Sequence, residues 1–278
     1  MSPEHVTPGA PAPAEHAIEV EGLAFAYPDG RQALFGIDTR IGHGERVALL
    51  GPNGSGKTTF VLHLSGILGA VAGGVGAGTI RVAGLEMTRR NLRDIRSAVG
   101  LVFQDPDDQL FMPTVHADVA FGPANQGLSG AALEARVSEA LDAVGMSEHA
   151  DRPSHHLSFG QRRRVALACV LAMHPQVLVL DEPSSNLDPA ARRELAEILE
   201  SLDVTILLVT HDLPYALQLC ERSLLLDSGR IVADGPTREL LADTRLMRAH
   251  RLELPYGFDP MSVPGPETRR AARESRPA

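Results

Sequence analysis

The stretch that most constrains this chain is Val47 to Thr59, VALLGPNGSGKTT. Val47 to Leu50 is apolar at every position, the pattern of a strand buried on both faces. The loop Gly51-Pro52-Asn53-Gly54-Ser55-Gly56 follows, closed by Lys57, Thr58 and Thr59, and Thr59 to Leu68 has helical spacing. Strand, glycine loop and helix in that order give the pattern a structural context. Glycines lack a Cβ, so the backbone can curl around a phosphate with its N–H groups inward. The helix adds about half an elementary positive charge at its N-terminus. Lys57 is placed to reach β- and γ-phosphate oxygens, and the Thr58 hydroxyl suits Mg²⁺. The competing reading, a glycine turn before a chance lysine, is disfavoured by the flanking strand and helix. The stretch implies a nucleoside triphosphate site.

At 278 residues the chain is long enough for one large domain with a subdomain. Its formal net charge of −9 disfavours a nucleic-acid backbone as partner. Cys169 and Cys220 fall in apolar helical patterns with no metal-ligand spacing, which suits a reducing cytosol. No apolar run approaches the ~20 residues of a membrane helix, so a membrane role would run through a partner.

Along the chain, residues 1–16 are rich in Pro and Ala and read as a disordered tail. Ile18 to Ala26 and Leu34 to Ile41 read as antiparallel strands around the turn Tyr27-Pro28-Asp29-Gly30. Spacing alone favours strand-end packing for Tyr27 over stacking on a base. Ala70 to Gly78 reads as a flexible loop before a strand at Thr79 to Val82. Val99 to Phe103 is a buried strand, and Gln104 follows it either as a polar loop residue or as a group facing the ligand crevice. Val115 to Gly122, Ala131 to Val144 and Gln161 to Met173 read as helices, and the run Arg162-Arg163-Arg164 as a solvated face. Glu239 to His250 reads as one terminal helix, and residues 251–278 as mostly disordered.

Val177 to Leu180 ends in Asp181-Glu182. Adjacent carboxylates at a buried strand end are costly unless they hold a metal or move protons. Asp181 suits the Mg²⁺ role given to an acid on a neighbouring strand, and Glu182 is then placed to orient or deprotonate water. Val204 to Val209 ends in Thr210-His211. His211 sits at the same sheet edge as Gln104 and Asp181, which raises its odds of touching a γ-phosphate.

Taken together, GPNGSGKTT, Gln104, LSFGQ at 157–161, LVLDEP at 178–183, SNLD at 185–188 and His211 resemble the ATP-binding subunit of ATP-binding-cassette (ABC) transporters, from about Ile18 to Leu241. The segments VFQDPDDQLF, DVAFGPAN and LSFGQRRRVALACVLAMHP are similar to energy-coupling-factor (ECF) transporters, nearest the cobalt/nickel importers. The resemblance implies that Tyr27 stacks on adenine and that Gln104 senses Mg²⁺ and links to the membrane partner. It implies that Ser158, Gly160 and Gln161 contact the γ-phosphate of the opposite subunit. Glu182 would be the general base, Asp188 the dimer-contact aspartate and His211 the switch histidine. Phe159 departs from the common LSGGQ by replacing its second glycine, and Asn186 replaces a commoner small residue.

The fold expected is α/β: a P-loop NTPase domain of ABC type over residues 17–250, with a mostly parallel core sheet, an antiparallel β-subdomain and a helical subdomain near residues 105–160. The cofactors expected are ATP and Mg²⁺. The partners expected are a second ATP-binding subunit (the same chain or a paralogue), an integral membrane transporter subunit and a solute-binding membrane component, with no nucleic acid. The place expected is the cytoplasmic face of the cell membrane, as a peripheral protein energising micronutrient uptake, with cobalt or nickel favoured over a vitamin. Leu110 and Phe111, beside Asp105, Asp107 and Asp108, would receive a helix of the membrane subunit. The alternative is a soluble ABC-type ATPase acting on ribosomes or DNA. The interval from Lys57 to Leu157 is too short for the long coiled coil of the DNA type, and a single cassette argues against the ribosomal type.

Overall fold

The computed structural model describes residues 15–68 and 75–266. The expected tail over 1–16 falls almost wholly outside them, as do residues 267–278 and most of the glycine-rich loop.

Two sheets carry the fold. Strands β1 (Ile18–Ala26), β2 (Gln32–Ile41), β4 (Val75–Val82) and β5 (Leu85–Glu86) form an antiparallel sheet of order β2-β1-β4-β5. Strands β3 (Arg46–Leu50), β6 (Val99–Val102), β7 (Val177–Asp181), β8 (Thr205–Val209), β9 (Arg222–Asp227) and β10 (Arg230–Pro236) form the second, of order β10-β9-β3-β8-β7-β6. All its pairs are parallel except β9–β10.

The continuous apolar runs follow from burial on both faces. Along β3, Val47 and Leu49 enter one core, with Val177, Val179, Leu207 and Val209 and the antiparallel sheet. Ala48 and Leu50 enter the other, with Leu178, Leu180 and Leu208 and the helices. Each leucine or valine so buried contributes about 1.5–3 kcal/mol. Alternation of side chains along a strand thus divides one hydrophobic run between two cores.

The helices are α1 (Lys57–Leu64), α2 (Leu92–Ala98), α3 (Val115–Asn125), α4 (Gly130–Ala143), α5 (Phe159–Leu171), α6 (Pro189–Ser201), α7 (Leu213–Leu219), α8 (Thr237–Ala242) and α9 (Thr244–Ala249). Several start where the chain supplies a side-chain oxygen: Thr114 for α3, Ser158 for α5, Asp188 for α6 and Asp212 for α7.

Three expectations change. The stretch from Val75 to Gly78 is strand, paired with β1, rather than loop. A Cβ on Gly78, whose φ is +93°, would lie 2.5 Å from Glu21 O, so glycine there serves close strand approach. The terminal helix is two helices, because Asp243 leaves helical geometry and caps α9 through the N–H groups of Arg245 and Leu246. Residues 251–266 carry specific contacts. Leu252 is buried, and Arg238 donates to the carbonyls of Pro260 and Val263.

Candidate functional site

The loop after β3 turns back on the sheet. Gly51 has φ +150°, and a Cβ there would lie 2.0 Å from Leu226 O on β9, so only glycine lets the loop lean on that strand. Gly56, at φ 107°, caps α1, whose first residue is Lys57. The Lys57 side chain is buried and donates to Gly51 O (2.8 Å) and Pro52 O (3.0 Å). Burial lowers its pKa, and the charges of Glu182 and Asp181 oppose that shift. An ammonium held by loop carbonyls beside two carboxylates is ready to exchange those oxygens for phosphate oxygens.

The loop opens into a cleft of about 490 Å³. Its walls include Asn53, Gly54, Gly56, Lys57, Thr58, Thr59, Gln104, Asp181 and Glu182. Tyr27 joins them and reads both ways: its ring packs edge-on against Phe25 (5.1 Å between centroids) while its hydroxyl lies 2.9 Å from Thr59 Oγ1. The cleft also takes Arg31, Gln32, Ala33, Phe35, Ser228 and Gly229, which the sequence did not single out. Gly229 is brought there by pairing of β3 with β9 and donates its N–H to Ser55 O at 2.8 Å.

Asp181 ends β7 and Glu182 follows it directly. The strand carrying Asp181 is not the immediate neighbour of β3, because β8 lies between them. Both acids nevertheless reach the same cleft. Burial raises the pKa of Asp181, Glu182 raises it further, and Lys57 and Arg163 oppose the rise. Glu182 adopts φ 47°, an uncommon backbone for a side chain of this kind. Its Oε2 accepts from Thr210 Oγ1 (3.2 Å) and His211 N (3.2 Å), and lies 2.8 Å from His211 Nδ1. Those contacts converge on one carboxylate oxygen. His211 itself is two-thirds exposed, touches Glu182 and is not among the residues lining the cleft.

The LSFGQ stretch stands apart from this cleft. Ser158 caps α5: its Oγ accepts from Gln161 N (3.2 Å), and Gln161 Oε1 accepts from Ser158 N (2.9 Å). Gly160 packs so tightly on α6 that a Cβ would come within 2.9 Å of Ala191 Cβ. Asp188 caps α6 through Ala190 N and Ala191 N. Ser158, Gly160, Gln161 and Asp188 therefore have local structural work within one chain, and none of them lines the cleft.

The arginine run is not a solvated face. Arg163 is 1% exposed, and Arg162 pairs with Asp107 (3.0 Å). Arg164 faces Glu194 at 3.6 Å. The expected apolar pair also divides. Leu110 is buried in the helical core, because Gln109 and Asp118 pin the chain on either side of it. Phe111 is 65% exposed and meets Phe121, itself exposed, edge to face at 5.0 Å. Cys169 and Cys220 are unpaired thiols. Among the described residues no helix is long and apolar enough to cross a membrane.

Residues 34–185 match the ABC transporter family model. A Streptomyces avermitilis protein, named provisionally as an ABC transporter ATP-binding protein, is 72% identical over 89% of this chain and 92% of its own. The energy-coupling factor transporter ATP-binding protein EcfA of Methanothermobacter thermautotrophicus is 46% identical over 87% of this chain and 78% of its own. Among solved structures, cbiO1 from Clostridium perfringens, part of the ABC transporter complex cbiONQ, superposes with a TM-score of 0.75. It is 38% identical, over 87% of this chain and 97% of that one.

Proposed function

The chain belongs to the ABC transporter ATP-binding family, a family of ATPases, and we propose that it energises micronutrient uptake through an ECF-type membrane complex. The observation that carries the reading is the single cleft in which Lys57, Thr58, Gln104, Asp181 and Glu182 meet. In this reading the loop N–H groups and Lys57 hold the phosphates, and Tyr27 and Phe35 flank the base. Glu182 takes a proton from water through Oε1, with His211 and Thr210 fixing its other oxygen.

Thr58, Asp181 and Gln104 all line the cleft and offer oxygen donors, a set that fits Mg²⁺ better than a softer metal. Bound there, Mg²⁺ would neutralise charge on the β- and γ-phosphate oxygens. Ser158, Gly160 and Gln161 would act on the nucleotide of a second subunit, which accounts for their distance from this chain's own cleft. Asp188 would lie at that same junction. The second subunit is this chain or a paralogue.

Phe111 and Phe121 form the apolar centre of a docking patch for a helix of the integral membrane subunit, with the exposed Asp105, Asp107 and Asp108 just before Phe111 in the chain. A solute-binding membrane component completes the complex, and the chain sits peripherally on the cytoplasmic face. The favoured solutes are cobalt and nickel ions, on the likeness of the segments around Gln104 and LSFGQ to importers of those metals; a vitamin is the other solute class. The domain reading places the ATPase over residues 17–250, with the helical part near 105–160. The test is uptake of labelled Co²⁺, Ni²⁺ and vitamins by cells with and without the gene. Unchanged uptake of all of them, with the chain travelling with ribosomes or DNA, would reject the transport reading.

A further inference from the structure

Among the described residues Arg163 is the largest fully buried side chain, and its only part in the site described above is the charge that opposes the rise in the Asp181 pKa. A buried guanidinium costs several kcal/mol unless its donors are met, and a well-packed apolar residue there would often be the more stable choice. Its surroundings are therefore informative. Nη1 donates to Phe103 O at 2.8 Å, one residue before Gln104. Nη2 reaches Ser185 O at 3.5 Å, in the loop between Glu182 and Asp188. The guanidinium carbon lies 5.3 Å from the centre of the Phe159 ring, inside LSFGQ. The same helix grips the Gln104 loop at two further points, Arg162 to Asp107 (3.0 Å) and Ala166 O from Gln109 Nε2 (2.7 Å).

We propose that Arg163 is a positioning residue that couples the LSFGQ end of α5 to the loop bearing Gln104, so that the two move as one unit when nucleotide binds. The inference rests on the nucleotide cleft proposed above. The fork geometry of arginine holds donors toward oxygens of two loops in fixed directions, which the compact ammonium of lysine does less well. The departure of Phe159 from glycine then has a use: its ring supplies the face on which the cation rests.

Hydrogen–deuterium exchange on the full-length chain, with and without a non-hydrolysable ATP analogue and Mg²⁺, separates the two claims. In the unmodified chain the analogue should protect peptides over 51–60 and over 103–111. In Arg163→Met the first protection should persist and the second disappear. Steady-state ATPase assays should show kcat down about tenfold with KM for ATP within about twofold. Arg163→Lys should rescue part of both losses, with kcat down only about threefold.

Protection over 103–111 that survives Arg163→Met, or an unchanged kcat, would overturn the coupling role while leaving the nucleotide reading intact. Loss of protection over 51–60 in the unmodified chain would overturn the nucleotide reading, and the inference with it. If thermal melts show Arg163→Met unfolded, Arg163→Lys decides by the same two readouts. Unfolding of both variants would assign Arg163 to stability alone and overturn the proposal.

Discussion

Replacing Glu182 by Gln keeps the side chain's shape and removes its basicity, so it separates holding the nucleotide from turning it over. The structure sets the expected magnitudes. Oε2 accepts two hydrogen bonds, from Thr210 Oγ1 and His211 N, and also lies against His211 Nδ1. An amide oxygen can take that position, turning its NH₂ toward the cleft. Bonds to a charged acceptor contribute about 1.5–3 kcal/mol and to a neutral one about 0.5–1.5, a difference of about 1–1.5 for each of the two bonds, so the fold should lose about 2–3 kcal/mol. In a chain of this size that lowers the melting midpoint by about 4–12 °C. Loss of a general base costs about 10²–10⁴ in rate, or about 3–5 kcal/mol of barrier. Activity should therefore collapse while the protein stays folded and ATP stays bound. Because ATP would sit between two subunits, blocked hydrolysis should let the dimer accumulate by mass action. The assay is size-exclusion chromatography with ATP and Mg²⁺. Little dimer is expected for the unmodified chain, a clear dimer for Glu182→Gln, and its loss in Glu182→Gln with Ser158→Arg. A fully active Glu182→Gln enzyme would remove Glu182 from the mechanism, and a locked dimer that tolerates Ser158→Arg would refute the place of LSFGQ across the interface.

Three further outcomes are expected. Lys57→Ala removes charge-assisted bonds to phosphate of about 1.5–3 kcal/mol, so ATP affinity measured by equilibrium dialysis should fall about ten- to 150-fold; an unchanged affinity would sink the phosphate role. Phe111→Glu combined with Phe121→Glu should abolish co-purification with the membrane subunit while ATP still binds, whereas Leu110→Glu should unfold the chain, because Leu110 is buried; undiminished co-purification of the double variant rejects the patch. The hydrogen bond from His250 holds the Asp227 carboxyl below its ordinary pKa of 3.8, with Ser228 and Arg251 adding to the effect. A depressed carboxylate pKa contributes stability above the unfolded value that is lost as pH falls through the folded one. Asp227→Asn should therefore lower the melting midpoint near neutral pH and lower it less below pH 3.8; an equal loss at both would contradict the linkage.

What could be read from the sequence were the features whose signals are local. The apolar run before Gly51, the glycines, and the helical spacing after Thr58 and from Val115 act on neighbours a few residues away, so β3, α1 and α3 were visible as pattern. Motif spelling pointed to Lys57, Asp181 and Glu182, and the structure brings all three to one cleft. The tertiary structure decided which distant pieces meet. Pairing of β3 with β9 brings Ser228 and Gly229 to the cleft, and β2 brings Phe35, although neither segment carries a phosphate-binding signature. The insertion of β8 between β3 and β7 is a matter of strand order, which no local period encodes. The three arginines after LSFGQ look alike in sequence and like a wetted face. Only the packing of α5 against the Gln104 loop shows that Arg163 is interior, because burial is set by what lies across a helix face and not by the residues along it.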